Sequence, residues 1–222
     1  MGGSIVHDGA PRPRRKRYLG AMTSPGPWDE RYGTDEYVYG TAPNDFLVEV
    51  ASMIPDGPVL CIGDGEGRNS VYLAGCGHAV TAVDGSPVGL KKGQALAATR
   101  RVSVEAVCAR LEDYVFPAEH YAAVVSIFCH LPSAVRKLVH ARAAKALRPD
   151  GVFVLEAYTP RQLKLRTGGP GDVDLLPTLA DLRADLTDLE MVVGRELERD
   201  VLEGKLHQGL SAVVQVVAKK TS

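Results

Sequence analysis

No apolar run in this 222-residue chain approaches the roughly 18 residues that a membrane-spanning helix needs, so it reads as a soluble protein with no membrane partner. The basic N-terminus is not followed by an apolar stretch and does not read as a secretory signal. Charge of one sign is missing too. With 26 Lys and Arg against 27 Asp and Glu, the net charge of −1 sets up no field that would gather nucleic acid. The local exception is Arg12, Arg14, Arg15, Lys16 and Arg17. It lies among Gly, Pro and Ser and reads as part of a solvated, flexible arm over residues 1–27, ahead of a single domain from 28 to 222. The four cysteines, Cys61, Cys76, Cys108 and Cys129, lie on separate elements without C-x-x-C spacing. This favours reduced thiols in a cytoplasmic protein over disulfides or a structural metal site. Aromatics make up only 6% of the chain, with one tryptophan, so their gathering between Trp28 and Tyr39 stands out.

Glycine, by contrast, is placed with a purpose. The apolar run from Val59 to Ile62 breaks into Gly63-Asp64-Gly65-Glu66-Gly67 and continues into helix-compatible sequence from Arg68. This reads as strand, tight turn and helix, with glycines where the backbone must take positive φ or come close to a ligand. Open α/β sheets bind ligands at that place, outside the carboxyl ends of their strands. A dinucleotide turn wants G-x-G-x-x-G, but Arg68 occupies the third glycine's position, which argues against a nicotinamide oxidoreductase. A second apolar run, Ala79 to Val83, ends in Asp84, an acid placed to accept the hydroxyls of a ribose.

Along the chain, Asn44 reads as the N-cap of a helix over 44–53, and Ser86 with Pro87 opens a helix over 87–100. Further strands are expected at 102–108, 122–128 and 152–158, helices at 133–147 and 178–186, and a turn at 147–151. A Gly- and Pro-rich segment, 159–174, has a length that in a compact domain is more often functional or mobile than idle. Two β-rich runs, 191–202 and 211–218, form a closing hairpin. The order predicts an α/β protein: a doubly wound, seven-stranded, mostly parallel, Rossmann-like sheet with a C-terminal antiparallel hairpin.

A strand, a G-x-G-x-G turn and a strand-terminal acid together resemble the cofactor site of class I S-adenosylmethionine-dependent methyltransferases. The runs W-D-E-R-Y, Y-V-Y-G-T-A-P-N, G-E-G-R-N-S-V-Y-L-A, T-A-V-D-G-S, S-I-F-C-H-L-P and L-E-A-Y-T-P are similar to the small methyltransferases of the tellurite-resistance type. The resemblance implies S-adenosylmethionine as cofactor. The backbone at Gly63, Asp64, Gly65 and Gly67, with Arg68 at the head of the helix, would cradle its methionine part. Asp84 would take the ribose hydroxyls, with Ser86 beside the adenine and Arg110 and Leu111 at the adenine edge. Ile127 and His130 would lie beside the transferring methyl, and Trp28, Tyr32, Tyr39 and Tyr158 would contact the acceptor. The chain departs from the family pattern at Cys61, Arg110 and Ala122, where the family often has acids.

Methyl transfer needs nucleophile and methyl in near-attack geometry. A neutral acceptor also needs a base, and His130 is the strand-end candidate of suitable pKa, although a lone histidine at a turn is more often structural. Cys108 and Cys129, also at strand ends, could hold a soft metalloid as thiolates. Asp64 and Glu66 suit solvent or a ligand ammonium group better than a metal. Glu156 could meet a substrate cation or a turn amide. The expected partner is a small-molecule methyl acceptor, such as a thiol or metalloid oxyanion, and the protein would be a monomer or homodimer. The competing reading is a module that binds the cofactor without turnover.

Overall fold

The computed structural model describes residues 26–204 and 207–221, apart from the side chain of His207; the expected arm therefore falls, up to residue 25, outside the described residues. A short helix α1, Pro27–Tyr32, opens the described chain, and Pro27 at its first position suits a helix start. Helix α2, Asp45–Val50, is capped by Asn44, whose side chain accepts from the Leu47 amide at 2.9 Å, and runs on into a 3₁₀ turn, Ala51–Met53.

Strand and helix then alternate: β1 Pro58–Ile62, α3 Arg68–Gly75, β2 Ala79–Asp84, α4 Pro87–Arg100, β3 Val104–Cys108, β4 Tyr121–Ile127, α5 Ser133–Ala146 and β5 Leu147–Tyr158. After a short helix α6, Gln162–Leu165, and α7, Leu179–Asp185, the chain ends in the hairpin β6 Glu190–Glu203 and β7 His207–Lys219. The seven strands lie in the order β3-β2-β1-β4-β5-β7-β6. The first five are parallel, while β7 runs antiparallel to both β5 and β6.

Alternation along the strands assigns the two faces. Leu60 and Ile62 of β1 pack with Val139 and Ala143 of α5 and Leu182 of α7. Val59 and Cys61 pack with Phe46 and Leu47 of α2 and Leu73 of α3. β1 and β4 are parallel, but the strand order reverses between them, and that switch point opens a crevice at their carboxyl ends.

Two expected boundaries move. The third strand begins at Val104, because Val102 still donates its N–H to Ala97 and closes α4 through Arg101 at φ 58°. The expected turn at 147–151 is instead the start of β5. Leu147 pairs with Tyr121, and the register slips before Val152 pairs with Ala123. Asp150 at φ 64° and Gly151, where a Cβ would come 3.0 Å from the Tyr121 carbonyl, absorb the slip as a bulge.

Candidate active site

Three glycines at alternate positions carry the turn after β1, with φ of +62° at Gly63, +56° at Gly65 and +87° at Gly67. The first donates its N–H to the Val83 carbonyl at 2.8 Å, tying the turn to β2. Each glycine is also hemmed in. A Cβ on Gly63 would lie 2.5 Å from the Cys129 sulfur, and one on Gly65 would lie 2.7 Å from the Tyr32 hydroxyl. A Cβ on Gly67 would meet the Gly93 Cα of α4 at 2.5 Å, so the third glycine serves helix packing and does not line the cavity.

Asp84, at the tip of β2, accepts from the Gly65 N–H at 2.8 Å and from the Ser86 N–H at 2.8 Å, one bond to each carboxylate oxygen. A carboxylate offers about four lone-pair sites, so acceptor capacity remains, but Asp84 is buried behind the turn and is not among the residues that line the cavity. Burial raises its pKa, against the two amide bonds. The neighbouring Asp64 accepts from the Ser70 N–H at 3.3 Å and the Ser70 hydroxyl at 2.5 Å and so anchors the first turn of α3. Burial, opposed by Ser70 and reinforced by the Asp84 charge, pushes the Asp64 carboxyl up to about 6.

The turn forms one wall of a cavity of about 590 Å³. Of the residues expected at the site, Gly63, Asp64, Gly65, Arg68, Ile127, His130, Trp28, Tyr32 and Tyr39 line it. Glu66, read from the sequence as suited to solvent or a ligand ammonium group, lines it too; sequence reasoning named none of Pro27, Arg31, Gly40, Asn69, Phe128, Gly168, Gly169, Pro170, Gly171 and Leu175 as binding residues, and they complete the wall. Most fall in the two segments whose composition had marked them, the aromatic stretch and the Gly- and Pro-rich loop. Phe128 had no such signal: it stands at φ 50°, rare for an aromatic, with its N–H bonded to the Glu156 carbonyl.

Across from the turn, His130 donates Nδ1–H to the Leu175 carbonyl at 3.2 Å, since a carbonyl can only accept. In the neutral ring the lone pair is therefore on Nε2. Tyr158 stacks on this imidazole with centroids 5.6 Å apart and planes 5° from parallel. It is fully buried and does not line the cavity; the tyrosine expected to touch the acceptor packs against His130 instead.

Other expectations are redirected. Ser86 caps α4, accepting from the Gly89 N–H, and donates to Asp29 of α1 at 2.5 Å, outside the cavity. Arg110 is exposed and pairs with Glu112, while Leu111 is buried in the core; neither lines the cavity. Cys129 packs on Gly63, and burial with the Asp84 charge nearby pushes its thiol up to about 12, which disfavours the thiolate a metalloid would need. Cys108 is exposed at the sheet edge. Glu156 does not line the cavity, and its carboxylate meets side chains where a turn amide was expected. Fully buried, it accepts from Asn44, from Gln215 at 2.6 Å and from the Arg199 guanidinium at 2.9 and 2.7 Å.

The chain's relatives agree with this geometry. Residues 59–151 match the family described as a methyltransferase domain. The uncharacterized methyltransferase YodH of Bacillus subtilis (strain 168) is 29% identical over 119 residues, 52% of this chain and 49% of YodH, so the match spans about half the length of that relative. Among solved structures, one concerns conversion of a disulfide bond into a thioacetal group during echinomycin biosynthesis. It superposes with a TM-score of 0.70 at 18% identity, over 87% of this chain and 91% of its own. TehB from Haemophilus influenzae superposes with a TM-score of 0.66 at 18% identity, over 87% of this chain and 66% of its own. At such identities the two structures speak for the fold alone. No helix among the described residues is long and apolar enough to cross a membrane. Residues 59–151, which hold the glycine turn and Asp84, are thus similar to a methyltransferase domain, and the strand order around them is shared with solved structures of that fold.

Proposed function

We propose that this protein transfers a methyl group from S-adenosylmethionine to a small-molecule acceptor seated between the glycine turn and His130. The observation that supports the reading is that Gly63, Gly65, Ile127 and His130 line one cavity, where an acceptor beside His130 would face the turn.

The residues suit the cofactor. The backbone of Gly63 and Gly65 offers close approach, and Asp84 has acceptor capacity left for ribose hydroxyls. Trp28, Tyr32, Tyr39 and Phe128 present aromatic faces of the kind that attract a sulfonium. When bound, the cofactor supplies an electrophilic methyl carbon for in-line displacement. The chain's own part is to orient the acceptor, exclude water behind α1 and the 168–171 loop, and receive a proton at His130 Nε2 when the acceptor is neutral. An acceptor already anionic would need only the first two. A thiol or a metalloid oxyanion remains within this class, although Cys129 is not poised to hold a metalloid. Four free thiols suit a reducing compartment such as the cytoplasm.

The test is a screen of small acceptors by mass spectrometry for release of S-adenosylhomocysteine. Turnover by the wild type that falls by about 10²–10⁴-fold in His130→Gln supports transfer with a base. Cofactor binding with no product from any acceptor favours the binding module instead.

A further inference from the structure

Lys92 lies on α4, outside the cavity, yet it is tied to one wall of it. Its side chain is 15% exposed, and its ammonium sits 2.6 Å from Glu66 Oε1. The same ammonium donates to the carbonyls of Tyr32 at 3.3 Å, Thr34 at 2.9 Å and Glu36 at 2.6 Å. Three protons thus serve four oxygens, three of them backbone carbonyls: one at the last residue of α1 and two on the irregular segment that follows it. Nζ also lies 5.1 Å from the centre of the Tyr37 ring, whose hydroxyl donates back to the Lys92 carbonyl at 3.0 Å.

Glu66 is the other half. It stands in the glycine turn with its side chain 2% exposed, and its second oxygen accepts the Tyr39 N–H at 3.2 Å. The pair therefore grips the segment that begins at Tyr32 in two places, before and after its bend. The cavity's aromatic residues hang from those two places. Tyr32 stacks on Trp28 with centroids 5.7 Å apart, and Tyr39 takes a hydrogen bond from Arg31 at 3.1 Å. A buried carboxylate in the ligand-facing turn is thus neutralised by a lysine whose remaining bonds go to the opposite wall.

We propose that Lys92 is a positioning residue for the methyltransferase site: through Glu66 it clasps the aromatic wall to the glycine turn, so that turn and wall close on the cofactor together. This rests on the function proposed above only where cofactor affinity is read.

Peptide-resolved hydrogen exchange on the full chain, with Trp28 emission as a second probe, tests it in wild type, Lys92→Met and Lys92→Arg. Methionine keeps an unbranched stem and removes the charge. The hydrogen-bonded amides of Tyr39 and Gly40 should exchange about tenfold faster in Lys92→Met, while β1, β4 and β5 keep wild-type protection. Trp28 emission should shift to the red, the dissociation constant for S-adenosylhomocysteine should rise about tenfold, and Lys92→Arg should recover both. Glu66→Gln, which keeps an acceptor for Tyr39, should loosen the same amides less. Unchanged exchange at Tyr39 and Gly40 would overturn the proposal, and so would a loss of protection spread through the sheet, which means a merely structural lysine. A wild type that does not bind S-adenosylhomocysteine would overturn the cofactor reading instead, with the exchange of the free protein still deciding the clasp.

Discussion

Asp64 is the residue whose environment makes the sharpest demand on solution behaviour. Its folded pKa of about 6 lies above the ordinary 3.8, so the folded chain holds this proton more tightly than the unfolded one. The stability it contributes is fully present below pH 3.8 and is lost as pH rises through about 6. Urea midpoints taken between pH 4 and 6.5 should therefore fall less steeply in Asp64→Asn than in wild type; parallel slopes would contradict the assignment. Gly63 makes a steric demand. Alanine there would meet both φ +62° and the Cys129 sulfur, and the left-handed conformation alone costs about 1–2 kcal/mol. Gly63→Ala should lower the melting temperature and weaken S-adenosylhomocysteine binding, and Cys129→Ala should restore part of the stability. Much at this scale was legible because spacing alone puts Gly63, Gly65 and Asp84 at neighbouring strand ends. Arg110, which the sequence left free either to meet the adenine or to point to solvent, does the latter and pairs with Glu112 two residues on. The positive φ of Phe128 leaves no mark in residue type.

Elements were easier to read than their seams. Helices α2, α4 and α7 announce themselves by the caps Asn44, Ser86 and Thr178, each of which accepts a first-turn amide. The slip at 147–151 is a register event between β4 and β5, invisible until the partner strand is known. The terminal hairpin was legible as two β-rich runs, but its buried ion network was not, since Glu156, Arg199, Glu203, Arg68 and Asn44 come from distant stretches. Glu156→Ala removes the nearest carboxylate from the partly buried Arg199, leaving it Glu203 and Asp45 at 3.4 Å, and should cost about 3 kcal/mol by urea denaturation; a loss under about 1 kcal/mol would mean that the network is slack. The 168–171 loop yields a test of the cavity's function. A Cβ on Gly171 meets nothing within 4 Å, so Gly171→Phe can intrude on the cavity without disturbing the fold. Transfer to an acceptor found by screening should fall about tenfold while S-adenosylhomocysteine affinity holds. Loss of cofactor affinity alone would place that loop on the cofactor side.

For the whole molecule, alternating strand and helix predicts a parallel doubly wound sheet, because right-handed crossovers leave few other arrangements. The order β3-β2-β1-β4-β5-β7-β6 realises that expectation and puts the reversal between β1 and β4, beneath the glycine turn. The acceptor is not legible at this scale, since the segments around Trp28–Gly40 and Gly168–Leu175 that line the cavity follow no periodic pattern. The account depends on Asp84 and the turn holding one nucleoside between them. Titration calorimetry with S-adenosylhomocysteine, on wild type and Asp84→Asn, tests that most directly. One-to-one binding by the wild type, weakened about tenfold or more as charge-assisted bonds to the ribose are lost, is the expected result. Equal affinity in the two proteins would contradict it.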